Sequence, residues 1–137
     1  MTISTERERL DVAMIHRYLS EESYWAKGIP RALVERSIAN SLCFGAFDGE
    51  AQVGFARMVT DYATFGYLAD VFVLPSHRGR GIAKALMRAV REHPEMQALR
   101  RWHLVTRDAH ALYAQFGFVP LGAPERHMAI AVPDAYA

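Results

Sequence analysis

A single cysteine, Cys43, is all the thiol chemistry this chain carries. It can form no internal disulfide, so nothing in the sequence requires an oxidising compartment. No apolar run approaches the roughly 20 residues that a membrane span needs. Residues 1–9 are polar and of mixed charge, unlike a secretory leader. A cytoplasmic protein with no membrane partner is therefore expected. Net charge is scarce as well. At +1 it gives bulk electrostatics no preference for nucleic acid. The six histidines show no tight ligand spacing, so no metal is expected. Gly-x-Ser-x-Gly, the elbow of many serine hydrolases, is missing too.

What is present reads as one compact unit. The 137 residues are 51% hydrophobic and 23% charged, which favours a globular chain over a disordered one. With no repeat or linker, residues 1–137 are expected to form a single domain. Residues 2–5 suit a short edge strand. Leu10, Met14 and Tyr18 recur every four residues, predicting an amphipathic helix over 9–20. Leu33, Val34 and Ile38 predict a second over 30–41, with Pro30 at its first position. Strands follow at 42–47, 52–60 and 67–74, the first two joined by a turn at Asp48-Gly49. A helix is expected over 80–92, then a strand over 102–106. A short helix over 109–116 is expected to be capped by Asp108 and closed by Gly117. Final strands are predicted at 118–121 and 127–132. This order gives a mixed α/β sandwich around one sheet.

The chemistry concentrates at Arg78-Gly79-Arg80-Gly81-Ile82-Ala83, between a strand and a helix. A helix N-terminus offers unpaired N–H groups and about half a positive charge to a phosphate. Gly79 and Gly81, lacking Cβ, allow close approach, and Arg78, Arg80 and Lys84 add cations. A P-loop is excluded because no Gly-Lys pair occurs. A dinucleotide turn fails because Lys84 stands where its third small residue belongs. Arg88 and Arg91 read as a solvated helix face.

The pattern that remains is Arg/Gln-x-x-Gly-x-Gly/Ala, and here the sequence resembles the GNAT acetyltransferases. Residues 70–75 (DVFVLP) resemble that family's bulged fourth strand, and 109–118 (AHALYAQFGF) its later motif. The resemblance implies a GNAT-type acyl-CoA N-acyltransferase fold of α/β (α+β) class. Its mixed, mostly antiparallel sheet would have splayed fourth and fifth strands, with about four helices. It further implies acetyl-CoA as cosubstrate and direct attack by an amine on the thioester. Phe72 and Val73 would hold the pantetheine arm. Gly79, Gly81, Ile82 and Ala83 would hold the pyrophosphate. Tyr113 matches the tyrosine that protonates the departing thiolate. Thr106 stands where relatives often carry an asparagine that contacts the cofactor arm.

The base is less defined. Many relatives carry a glutamate near the position of Tyr67, so Asp70 and Asp61 become the candidates. Asp70 is the more pointed because it interrupts an apolar strand; a structural carboxylate is its competing reading. The acceptor is expected against Tyr24, Trp25, Asp61, Tyr62 and Phe65, whose rings and carboxylate suit a cationic amine. In the competing reading Trp25 and Phe65 plug the sheet edge. The expected acceptor is a small-molecule or peptide amine. A non-catalytic acyl-CoA sensor of the same fold is the alternative, and a nucleotide-phosphate module a weaker third. Late strands in such small domains often pair between copies, which admits a homodimer.

Overall fold

The computed structural model describes residues 1–137. Five strands form one sheet in chain order: β1 (Thr2–Ser4), β2 (Leu42–Asp48), β3 (Ala51–Thr60), β4 (Phe65–Val73) and β5 (Arg101–His103). The first four pair antiparallel, and β5 joins β4 in parallel. Helices α1 (Val12–Arg17) and α2 (Arg31–Ala39) cover one face, packing Ile15, Leu19 and Val34 against Phe55 and Phe72. Helix α3 (Ile82–Glu92) covers the other, sinking Leu86, Met87 and Val90 among Phe44, Val53 and Met58. Each such side chain contributes about 1.5–3 kcal/mol when fully buried. α3 is thereby held firmly, together with the turn before it. No helix is long and apolar enough to cross a membrane.

Local chemistry sets the boundaries. Asp11 caps α1 by accepting from the Met14 N–H at 3.0 Å. The helix then widens into a π-turn at Tyr18–Glu22. Ser23 closes that turn, donating to the Leu19 carbonyl at 2.6 Å and accepting from the Ala26 N–H at 3.0 Å. Between those two bonds the chain projects Tyr24 and Trp25. The short helix α4 (His110–Ala114) ends at Gly117, which takes the left-handed φ of +96° expected of it.

Four expectations need correction. The hairpin turns at Gly49-Glu50 rather than Asp48-Gly49, because Asp48 still pairs with Ala51 and the positive φ falls on Gly49. Pro30 precedes α2 as its N-cap. Asp108 does not cap α4; the Ala109 N–H goes to Thr106 Oγ1 at 3.1 Å instead. Neither 118–121 nor 127–132 forms a strand, since no neighbouring strand within the chain pairs with them.

Candidate active site

A bulge in β4 shapes the site. Ala56 alone on β3 stands opposite both Asp70 and Val71 on β4, between the pairs Phe55–Phe72 and Arg57–Ala69. Asp70 adopts a left-handed φ of +55° there, a conformation that aspartate tolerates better than most residues. Such a bulge sharpens the local twist. β4 and β5 pair only from Phe65–Arg101 to Tyr67–His103 and then part. This is why the fifth strand is shorter than its sequence suggests.

The parting opens a cleft of about 460 Å³, a size ordinary for small-ligand sites. One wall is β4 from Tyr67 to Val71, and the other is the chain from Leu104 to Ala109. Tyr113 of α4 also faces the cleft, and Tyr24 and Trp25 close one side. Beyond Val71, β4 continues through Phe72 and Val73 to the glycine turn. The Leu74 N–H reaches the Val53 carbonyl on β3 at 2.8 Å. By strand alternation the Val73 N–H therefore faces away from β3, along the edge that β5 leaves open.

The glycine turn is braced from both sides. Arg78 gives Nε to the Val73 carbonyl at 3.0 Å and Nη2 to the Tyr18 hydroxyl at 2.9 Å. Tyr18 itself stacks on Phe72 with ring centres 4.0 Å apart. His77 spans to Asp48 at 3.0 Å. Arg78, expected to reach a phosphate, therefore commits its Nε and one Nη2 donor to fixing the loop. Gly79 and Gly81 have φ of +79° and +77°, and a Cβ on either would meet no atom within 4 Å. The N–H groups from Gly79 to Lys84 donate to nothing in the chain, and no side chain caps α3. Arg80 and Lys84 lie exposed beside them. Open space, free donors and cations together fit a diphosphate.

Tyr113 is half-buried, and its hydroxyl pKa is pushed up to about 12, by burial first and by Tyr24 second. It is thus protonated at neutral pH, as a proton donor must be. Asp70 is fully engaged: Oδ1 accepts from Trp25 Nε1 at 2.8 Å and Oδ2 from Arg57 Nε at 2.8 Å. Arg57 in turn donates to Ser41 Oγ at 3.0 Å. The geometry therefore favours a structural carboxylate at this position.

The expected acceptor residues divide. Tyr24 and Trp25 line the cleft; Asp61, Tyr62 and Phe65 do not. Asp61 closes its own loop, accepting from the Thr64 hydroxyl at 2.6 Å and from three backbone N–H groups. These bonds, led by the Thr64 hydroxyl, hold its carboxyl well below the usual range. Phe65 lies over His103, at the paired end of β4. Thr106 does line the cleft, where its oxygen already accepts from Ala109.

Arg107 was not identified as a site residue from the sequence. Its N–H donates to the Tyr24 hydroxyl at 3.0 Å, and its guanidinium lies 3.9 Å from the centre of the Tyr24 ring. The two residues join the closing side of the cleft to its 104–109 wall. Only the fold brings them together, 83 positions apart. Arg91, taken for a solvated residue, instead bonds the Phe116 carbonyl and lies over Trp102.

A sequence model of the acetyltransferase (GNAT) domain matches residues 39–120. "Putative acetyltransferase FG08082" of Gibberella zeae is 31% identical over 133 residues, spanning 82% of this chain and 75% of that protein. A crystal structure from Xanthomonas campestris pv. campestris, described as a "putative acetyltransferase belonging to the gnat family", superposes with a TM-score of 0.97. It is 56% identical and covers 99% of this chain and 96% of its own. Rv2747 of Mycobacterium tuberculosis, solved in complex with CoA, shares the fold at a TM-score of 0.71 and 16% identity, over 88% of this chain and 73% of its own. The chain belongs to the GNAT acetyltransferase family, and its fold is that of an acyltransferase.

Proposed function

We propose that this protein transfers an acetyl group from acetyl-CoA to a primary amine of a small molecule or peptide, by direct attack within a ternary complex. Residues 1–137 act as one catalytic unit, in the cytoplasm. The observation that carries this reading is the cleft where β4 and β5 part, joined by a single strand to the uncapped N-terminus of α3. A thioester arm laid along β4 would place its diphosphate over Gly79–Lys84 and its acetyl group among Val71, Tyr113 and Trp25.

Each residue then has a physical task. Free N–H groups and the helix dipole hold the diphosphate, with Arg80 and Lys84 adding charge. Backbone N–H groups on the open edge of β4, from Val71 to Val73, are the donors available for negative charge developing on the thioester oxygen, and such preorganised donors often supply the largest catalytic effect. Tyr113 gives its proton to the departing sulfur, worth about 10²-fold at the low end of general-acid effects, since a thiolate already leaves readily. Asp70 positions Trp25 and removes no proton. An alkyl amine with a pKa near 10.4 is neutral in only about one molecule in 2,500 at pH 7. It loses its proton to solvent before attack.

A panel of polyamines, amino acids, amino-bearing antibiotics and peptides, assayed for CoA thiol release from acetyl-CoA, tests the proposal. Amine-dependent release supports it. Tight acetyl-CoA binding with no release from any amine would favour the sensor reading.

A further inference from the structure

The charge in the cleft runs opposite to what the sequence suggests. Asp61, expected to meet a cationic amine, lies outside it. Asp70 lines it but has both oxygens taken, by Trp25 and by the Arg57 guanidinium. That leaves two charged side chains on the lining, Arg107 and Asp108, adjacent in the chain. Their contact is long, 3.4 Å from Arg107 Nη2 to Asp108 Oδ2, and the two side chains are 64 and 66% exposed. An exposed pair of this kind holds its members only weakly.

Arg107 is nevertheless fixed in place. Its guanidinium carbon sits 3.9 Å from the centre of the Tyr24 ring, and its backbone N–H donates to the Tyr24 hydroxyl at 3.0 Å. Tyr24 meets Trp25 edge-on, ring centres 5.0 Å apart, and Trp25 is itself tied to Asp70. The head of Arg107 is thus placed by a chain of contacts that ends in the Arg57–Asp70 pair. A guanidinium resting on an aromatic ring keeps its N–H groups at the rim, where a planar acceptor can take two at once. Here Nε and Nη1 bond nothing in the protein, and Nη2 has only the long contact to Asp108. Arg107 is also the one cation on the lining free of a short ion pair; Arg80 and Lys84 stand apart, at the glycine turn. Much of the remaining lining is apolar, so a charge pair formed there is screened less than at an open surface.

We infer that the acceptor amine carries a carboxylate, which Arg107 holds through two of its N–H groups while the amine reaches the thioester. The inference rests on the acetyl-transfer reading above. One small molecule can span both tasks, because Arg107 and Tyr113 line a single cleft of about 460 Å³. A polyamine fits badly. Its second ammonium would meet Arg107, and Asp108, already shared with that cation, is the only carboxylate left to offset it. The carboxylate can belong to a free amino acid or to the end of a short peptide.

Matched acids and amides test the inference: β-alanine, 4-aminobutyrate and glycylalanine, each beside its own carboxamide. All are assayed for CoA release and titrated calorimetrically into CoA-bound protein. The wild type is expected to prefer acid over amide in kcat/KM, and Arg107→Gln to cut that preference by about 10- to 100-fold. Comparing the ratio between the two proteins cancels the different amine pKa values of acid and amide. The loss should fall in KM for the acid rather than in kcat. Arg107→Lys, which keeps the charge without the fork, should cut the preference less. The bond to Tyr24 comes from the backbone and survives both substitutions, so melting curves should hold. The pair with the largest preference tells whether the carboxylate is that of a free amino acid or of a peptide. A ratio that Arg107→Gln leaves unmoved overturns the inference, and so does faster release from putrescine than from any acid. A KM rise confined to acetyl-CoA would give Arg107 to the cofactor and overturn it as well. Acid-selective binding with no release from any amine would sink the acetyl-transfer reading and leave the carboxylate site standing. Release with no preference for acids would do the reverse.

Discussion

Trp25 and Asp70 are joined by a 2.8 Å hydrogen bond across 45 positions of sequence, tying the Tyr24–Trp25 side of the cleft to the bulge of β4. The same carboxylate is held by Arg57, and that ion pair is mostly buried, with side chains 17 and 10% exposed. Both oxygens of Asp70 thus serve to orient neighbours. Asp70→Asn tests this role, since asparagine tolerates the left-handed φ of +55°. Losing a hydrogen bond to a charged partner is expected to cost about 2 kcal/mol of stability. KM for the amine should rise, with kcat changed less than about tenfold. A kcat loss of about 10²-fold or more would make Asp70 the base instead.

Without an internal base, the neutral fraction of the amine governs the rate. kcat/KM is expected to rise roughly tenfold per pH unit between about pH 7 and 9. A plateau beginning below about pH 8 would show that a side chain takes the proton. Tyr113, with its pKa near 12, should impose no falling limb in this range.

Tyr113→Phe should lower kcat by about 10²-fold and leave CoA affinity nearly unchanged. The ring packs edge-on against Phe118, 6.1 Å between centres, and phenylalanine preserves that contact. Stability should therefore hold, and steady-state kinetics paired with a melting curve separates catalysis from packing. Full retained turnover would reduce Tyr113 to a core residue.

Gly81→Ala should weaken CoA binding while the apo protein still folds. The left-handed φ of +77° costs a residue bearing Cβ about 1–2 kcal/mol, but no neighbour lies within 4 Å to clash with it. The added methyl instead occupies the space a phosphate oxygen would need. Titration calorimetry of both proteins with CoA measures the difference; equal affinities would remove the turn from the binding site.

Cys43 should resist thiol reagents until the protein unfolds. It is buried, and that burial pushes its pKa up to about 11 from 9.0. The neutral thiol is the form the fold favours. Its effect on stability is flat below about pH 9 and turns unfavourable as pH rises from 9 to 11, reaching about 2–3 kcal/mol. Tyr113 adds a loss of the same sign between about pH 10 and 12. Urea melts at pH 8 and 10.5, on the wild type and Cys43→Ala, should show a smaller alkaline loss in the variant.

Local signals in the sequence were enough to locate most of the sheet and the glycine turn. Pro75 and Gly79 to Gly81 mark the end of one element and the start of the next whatever surrounds them. The resemblance puts Tyr24, Trp25, Asp61, Tyr62 and Phe65 together on the acceptor side. Only Tyr24 and Trp25 line the cleft, because an aspartate closing its own loop and one facing a ligand look alike in sequence. The Tyr24–Arg107 bridge and the Trp25–Asp70–Arg57 chain depend on long-range packing that leaves no periodic trace. The alternation at 127–132 predicts a strand, yet none forms there, since a pattern names the face to be buried and not what buries it.

Thermal unfolding with and without acetyl-CoA, CoA and ATP tests the central claim most directly. At 100 times its dissociation constant, a ligand specific for the folded state adds about 2.7 kcal/mol, a shift easily resolved. Acetyl-CoA and CoA should each raise the melting temperature, and ATP should not. A protein that none of the three stabilises would contradict the assignment of the β4–β5 cleft and the glycine turn to an acyl-CoA. Stabilisation by ATP as strong as by CoA would reduce the turn to a general phosphate site.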